Sequence, residues 1–269
     1  MTFNPHDQAA IAFKRLLGIM DELREKCPWD RQQTWESLRH YTIEEVYELA
    51  DAILAGELEA VKKELGDLLL HVVFYAKLGA EQQVFDITAV IEAICEKLIV
   101  RHPHVFADTV VENEAQVRRN WELLKLQEQN SKGGVLSGVP TSLPALVKAL
   151  RIQEKARSVG FDWSDREQVW QKVEEELSEF KELWVNHVIT DQEAAELEFG
   201  DLLFSLVNYA RFIDINAETA LEKTNRKFMK RFRYIEEAAQ KLGCGIQDLT
   251  AEQKEQYWEE AKLLSKVRT

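Results

Sequence analysis

Eight acidic residues fall into two sets of matching pattern. Glu45 and Glu48 are followed by Glu64 and Asp67, and Glu176 and Glu179 by Glu198 and Asp201. Each pair is spaced i, i+3, so on an α-helix its two side chains project from one face. The residues between the pairs, 15 in the first set and 18 in the second, let one helix end, turn and return antiparallel, which would gather four carboxylates in one place. Such a group repels itself unless protons or a cation sit within it. Oxygen donors alone select hard ions, Mg²⁺ first and Mn²⁺ next, over zinc. A solvated acidic face would explain a single ExxE. Here, however, Asp67 runs into "LLLHVVF" and Asp201 into "LLFSLV", so the Glu-Gly-Asp turn is expected to open a helix that is apolar nearly all round and buried. Carboxylates at its mouth would need a partner. Gly66 and Gly200 weaken that helix by about 1 kcal/mol relative to Ala, which the close approach of another helix or of a ligand would justify.

A second ingredient is the run "KTNRKFMKRFR", residues 223 to 233. Lys223, Lys227, Lys230 and Arg231 fall within a few helical turns, with Phe228 and Phe232 placed to face inward. The run is either a solvated amphipathic helix or a phosphate clamp, with lysine as point charge and arginine as fork. Carboxylate-held metal beside such a helix suits nucleotide phosphates. His71, His102 and His104 have no equivalents in the second set and are expected in loop or core roles. Trp29 and Trp163 are expected to be core anchors rather than base-stacking platforms. No GxxxxGK[ST] loop, GxGxxG turn or GxSxG elbow occurs, which removes the common P-loop, dinucleotide-binding and serine-hydrolase routes.

The elements that must position these groups are helices. Only 11 Gly and 5 Pro in 269 residues, with abundant Ala, Leu, Glu, Lys and Gln, favour an all-α fold. The stretch "NSKGGVLSGVPTSLP", 130–144, interrupts the periodicity and is expected to be a linker between an N-terminal repeat, 1–129, and a C-terminal one, 145–269. The halves match beyond the carboxylates: Trp29 and Trp35 correspond to Trp163 and Trp170, and Lys97 and Arg101 to Lys227 and Arg231. Tandem duplication is the natural reading. Each half is expected to hold about four helices: one before the tryptophan turn, one ending near 55 or 188, one through "GDLL", and a last one bearing the basic residues. Ser164 or Asp165 would cap the helix from about 166, and Thr42 or a near neighbour its counterpart.

Lys and Arg total 34 against 47 Asp and Glu, a formal charge of −13, which opposes general affinity for nucleic acid or anionic membrane. Cys27, Cys95 and Cys244 show no CxxC spacing and fit a reducing cytoplasm. The N-terminus lacks the pattern of a signal peptide and no apolar stretch is long enough to span a bilayer.

The order EExxE, spacer, ExxD, here "EEVYE…ELGD" and "EELSE…EFGD", resembles the MazG family of nucleoside triphosphate pyrophosphohydrolases, in its two-repeat form. "CPWD", "RHPHVFAD", "VGFDW" and "NRKFMKRF" extend the resemblance over nearly the whole chain. It implies an all-α fold, a homodimer, and Mg²⁺-dependent hydrolysis of NTP or dNTP to NMP or dNMP and pyrophosphate. By motif, Glu176, Glu179, Glu198 and Asp201 would be metal ligands. Lys172, Glu175, Asp201, Lys227 and Arg231 would lie along the nucleotide, and Trp258 at its base or ribose end. Glu45, Glu48, Glu64 and Asp67 would form a second, weaker metal set. Lys227 and Arg231 would offset charge on the leaving pyrophosphate, and Glu175 or Glu176 would take the proton of the attacking water. The unequal spacers put the equivalence of the two connecting loops in question. The C-terminal repeat is expected to carry the chemistry: it has Lys172 where the other has Tyr41, and its basic helix lacks the break that Pro103 imposes after Arg101. Two other readings stay open: a diphosphohydrolase restricted to one or a few nucleotides, such as dUTP or a modified base, and a non-catalytic helical interaction protein. A di-iron bundle would need ExxH pairs, and none accompany these carboxylates.

Overall fold

The computed structural model describes residues 5–113, 116–117, 120–121, 124, 134–185, 188–189 and 191–266. Apart from one two-stranded hairpin, the regular structure described is helical. The chain divides into two compact units, Met1–Val111 and Glu112–Thr269. The first four residues of the expected linker, 130–133, lie outside the described residues, and Val135–Gly138 form a 3₁₀ turn within the second unit.

The first unit contains α1 (Pro5–Lys26), α2 (Trp35–Ala55), α3 (Leu58–Glu81), α4 (Ile87–Arg101) and a single turn, α5 (Pro103–Phe106). Its core joins Met20 of α1, Leu38 of α2 and Val73, Phe74 and Leu78 of α3, with Trp35 and Tyr75 stacked 5.5 Å apart at its edge. The start of α2 is set by Thr34, whose hydroxyl accepts from the Ser37 amide while the Ser37 hydroxyl accepts from the Thr34 amide. This reciprocal box satisfies two otherwise unpaired donors. Thr42 is therefore not the cap. It lies two turns inside the helix, where its hydroxyl donates to the Leu38 carbonyl and lies within hydrogen-bond distance of His71 and Tyr75. Gly56, at φ +72°, ends α2 in the left-handed region, so two residues suffice to reverse the chain into α3.

The second unit contains α6 (Ala145–Ser158), α7 (Arg166–Glu182), the hairpin β1 (Trp184–Val185) and β2 (Val188–Ile189), α8 (Gln192–Phe212), α9 (Ala217–Lys241) and α10 (Ala251–Lys266). That is five described helices rather than about four, because Gly243 at φ +74° ends α9 and allows α10 to fold back on it. Asp165 caps α7, as expected, accepting from the amides of Glu167 and Gln168. α7 stops at Glu182, not near 188, and the antiparallel hairpin takes up the longer spacer. α7 against α8 is the counterpart of α2 against α3, and each is the principal helix pair of its unit.

The "GDLL" helices differ from expectation in three ways. They begin well before the carboxylates, at Leu58 and Gln192. They are also amphipathic rather than buried all round: Leu65, Leu69 and Val72 are exposed on α3, and Phe199, Leu203 and Leu206 occupy the equivalent exposed positions on α8. These residues follow i, i+4, i+7, one stripe of a helix. Finally, apart from the local helix backbone, no atom of the described residues lies within 4 Å of where a Cβ would stand on Gly66 or Gly200, so none of the other described elements approaches either glycine closely.

Candidate active site

α2 and α3 bring together oxygens of Glu45, Glu48 and Glu64, and α7 and α8 those of Glu176, Glu198 and Asp201, each trio lying within 4.8 Å of one another. Glu64 and Glu176 are only 6% and 7% exposed, so each cluster has one carboxylate that water cannot adequately solvate. Glu179 completes the second group electrostatically: desolvation and repulsion from Glu176, Glu198 and Glu175 push its carboxyl above the usual range, against the pull of Lys172. Glu45 is raised in the same way, by desolvation and by Asp67, Glu48 and Glu64, with Lys63 opposing. In both clusters, burial and neighbouring carboxylates thus act against full ionisation of the group.

The two clusters are compensated from opposite helices. In the second unit Lys172, one turn before Glu176 on α7, lies 2.8 Å from Glu175 Oε1 and 2.7 Å from Glu176 Oε1, and both bonds raise its own pKa. In the first unit the equivalent of Lys172 is Tyr41, which meets Trp29 edge-on at 6.2 Å. The cation is instead Lys63, on α3, 2.9 Å from Glu64, 3.7 Å from Asp67 and 4.0 Å from Glu48. Sequence reasoning passed over Lys63, although it directly precedes Glu64 while its counterpart Leu197 is apolar.

Lys227, Arg231 and Trp258 form a separate group on α9 and α10. The Arg231 guanidinium lies 5.5 Å from the Trp258 ring centroid, and Phe228 packs on the same indole at 5.1 Å. Phe228 and Phe232 do not face inward; both are exposed, since the inner face of α9 is made by Ile235 and Ala239 instead. Arg231 Nε is buried without a hydrogen-bond partner, a donor that a ligand's anionic group would satisfy. Among the described residues no ion pair joins Lys227 or Arg231 to the carboxylates. Trp29 and Trp163, expected in the core, are 53% and 44% exposed. Buried apolar positions come instead from the helices that follow, at Leu38 on α2 and Val169 on α7. His71 is buried and bonded to Thr42, and His102 caps the C-terminus of α4.

The donor sets are all oxygen and anionic and fit a hard divalent cation. A family model described as the MazG nucleotide pyrophosphohydrolase domain matches residues 33–106, the segment that holds the first cluster. The chain is 47% identical over 258 residues to the nucleoside triphosphate pyrophosphohydrolase/pyrophosphatase MazG of Thermotoga maritima, covering 95% of this chain and 97% of that protein. The chain belongs to the MazG family. Nucleoside triphosphate pyrophosphohydrolase of Escherichia coli K12 is 42% identical over 253 residues, 92% of this chain and 96% of that one. The Bacillus subtilis protein YabN is 46% identical over 253 residues, covering 93% of this chain and 51% of that protein. The matches to these first two relatives cover 95% and 92% of this chain and so take in α7 and α8 as well as α2 and α3.

Proposed function

We propose that this MazG protein hydrolyses nucleoside triphosphates, ribo and deoxy, to the monophosphate and pyrophosphate, with Mg²⁺ or Mn²⁺ as cofactor. The observation that carries this is the convergence of Glu176, Glu198 and Asp201 beside Lys172 in a chain whose relatives are named for that reaction. Glu176, Glu179, Glu198 and Asp201 would hold the metal. Bound there, it offsets phosphate charge and acidifies water.

The protein's own residues account for the remaining requirements. Glu176 is buried and committed to the cluster, whereas Glu175 is half exposed and, among the described ion pairs, joined to Lys172 alone, so Glu175 is the better placed to accept a proton from water. Lys172 and Lys227 supply point charges for phosphate oxygens, and Arg231, with its unpaired buried Nε, supplies directed donors for the leaving pyrophosphate. Trp258, already in contact with Arg231, offers an aromatic face to the base or ribose.

The C-terminal repeat is assigned the chemistry. It alone has a lysine at the position of Lys172, and α9 continues for ten residues past Arg231 to Lys241, whereas α4 ends at Arg101 with Pro103 opening the next turn. The matching stripes Leu65, Leu69, Val72 and Phe199, Leu203, Leu206 support a homodimer in which a second copy covers them. Free cysteines and the acidic charge support a cytoplasmic protein without nucleic-acid or membrane partners; among the described residues no helix is long and apolar enough to cross a membrane. Chromatography of digests of a full NTP and dNTP panel tests the reaction. Monophosphate and pyrophosphate are expected as first products, and diphosphate with orthophosphate would sink the assignment.

A further inference from the structure

The N-terminal cluster carries a cation of its own. Lys63 reaches Glu64, Asp67 and Glu48 within 4.0 Å, and its field also bears on Glu45. The C-terminal cluster also has a lysine, but residue 197 is leucine and Lys172 engages only Glu176 of that cluster, together with Glu175, leaving Glu198 and Asp201 without a lysine among the described ion pairs. A second observation concerns Glu64. It is more than nine-tenths buried, and while Oε1 bonds Lys63, Oε2 has no partner at all. An anionic oxygen in that position calls for a cation beyond what the lysine provides.

We infer that Lys63 is the resident counter-ion of the N-terminal cluster, and that position 63 against 197 decides which repeat binds a divalent cation more tightly. The inference rests on reading both clusters as metal-holding. An ammonium within about 5 Å of a dication, in surroundings close to water, lowers its affinity by about tenfold. Lys63 reaches three of the four N-terminal carboxylates where Lys172 reaches one of the four C-terminal ones, and this difference makes the N-terminal repeat the weaker of two sites with the same ligand types.

Mn²⁺ titrated into the full-length chain, with free ion read by electron paramagnetic resonance, tests this. The wild type should take up one tight equivalent and a second about tenfold weaker. Lys63→Met should bring the second into the tight range, and Lys63→Arg should keep the wild-type pattern. Glu64→Gln added to Lys63→Met should remove the gain. Equal sites in the wild type, an unchanged weak site in Lys63→Met, a Lys63→Arg variant that gains like Met, or a gain that survives Glu64→Gln would each overturn the inference. Leu197→Lys provides a reciprocal arm: it should weaken the tight site about tenfold, and unchanged affinity there counts against the role of charge at this position. A wild type with no tight Mn²⁺ would sink the metal reading of the C-terminal cluster, while a site gained in Lys63→Met would still uphold Lys63.

Discussion

Substituting equivalent glutamates separates the two repeats most directly. Glu176→Gln keeps the shape of a buried cluster residue and removes its charge, so turnover should fall by orders of magnitude. Glu45→Gln should cost no more than about tenfold, roughly 1.4 kcal/mol in the barrier; steady-state rates on one nucleotide suffice, and the reverse ranking would refute the assignment. Proton linkage gives an independent check. Glu179 and Glu45 have raised pKa values in the metal-free protein, so just above the ordinary glutamate range they still hold protons that a metal must displace. Metal affinity should therefore fall as pH drops through that raised value, and binding should release protons there but not well above it. Calorimetry in two buffers of different ionisation heat measures the release. The grouping of six of these carboxylates was legible in the sequence, because i, i+3 spacing maps directly onto one helix face. Lys63 was not: a lysine beside a glutamate is an ordinary surface pattern until the neighbouring helix brings Glu48 to within 4.0 Å of it.

The helices themselves were legible from periodicity and from their boundaries, notably Pro103 after α4 and Asp165 at the start of α7. What the pattern could not supply was how much of an apolar helix another element covers. Leu65, Leu69 and Val72 belong to a nearly continuous hydrophobic run, yet α2 shields only the opposite side of α3. The cap of α2 was misplaced for a related reason. Thr34 and Thr42 both precede helical patterns, and only the Ser37 hydroxyl, folding back on Thr34, decides between them. The two helix glycines give a test at this scale. With no atom within 4 Å of the missing Cβ, Gly66→Ala and Gly200→Ala should each stabilise the isolated chain by about 0.5–1 kcal/mol through helix propensity. A thermal melt of dilute protein should show the rise. A fall in Tm at Gly66 or Gly200 would mean that something outside this chain fills the space.

Two stripes at matching positions on α3 and α8, both exposed among the described residues, have a consequence for assembly. If a second copy covers them, Leu69→Glu or Leu203→Glu should shift the protein toward monomer in sedimentation equilibrium with the helical content unchanged; an unaltered dimer would remove these faces from the interface. The repeated motifs were legible in the sequence, whereas the exposure of the stripes was not, because burial depends on which faces the rest of the chain leaves bare. The repeats also differ in how the two carboxylate helices are joined, through the single cap Gly56 in one case and through the β1–β2 hairpin in the other. Since α7 and α8 are held in phase by their own packing, the hairpin has only to reverse direction, and doubling the length of such a connection costs only about 0.6 kcal/mol. A tether or a fluorescent tag spliced between Val185 and Val188 should therefore leave Glu176, Glu198 and Asp201 in register, which makes the β1–β2 connection an attachment point for fixing the enzyme to a sensor surface or following it by single-molecule imaging.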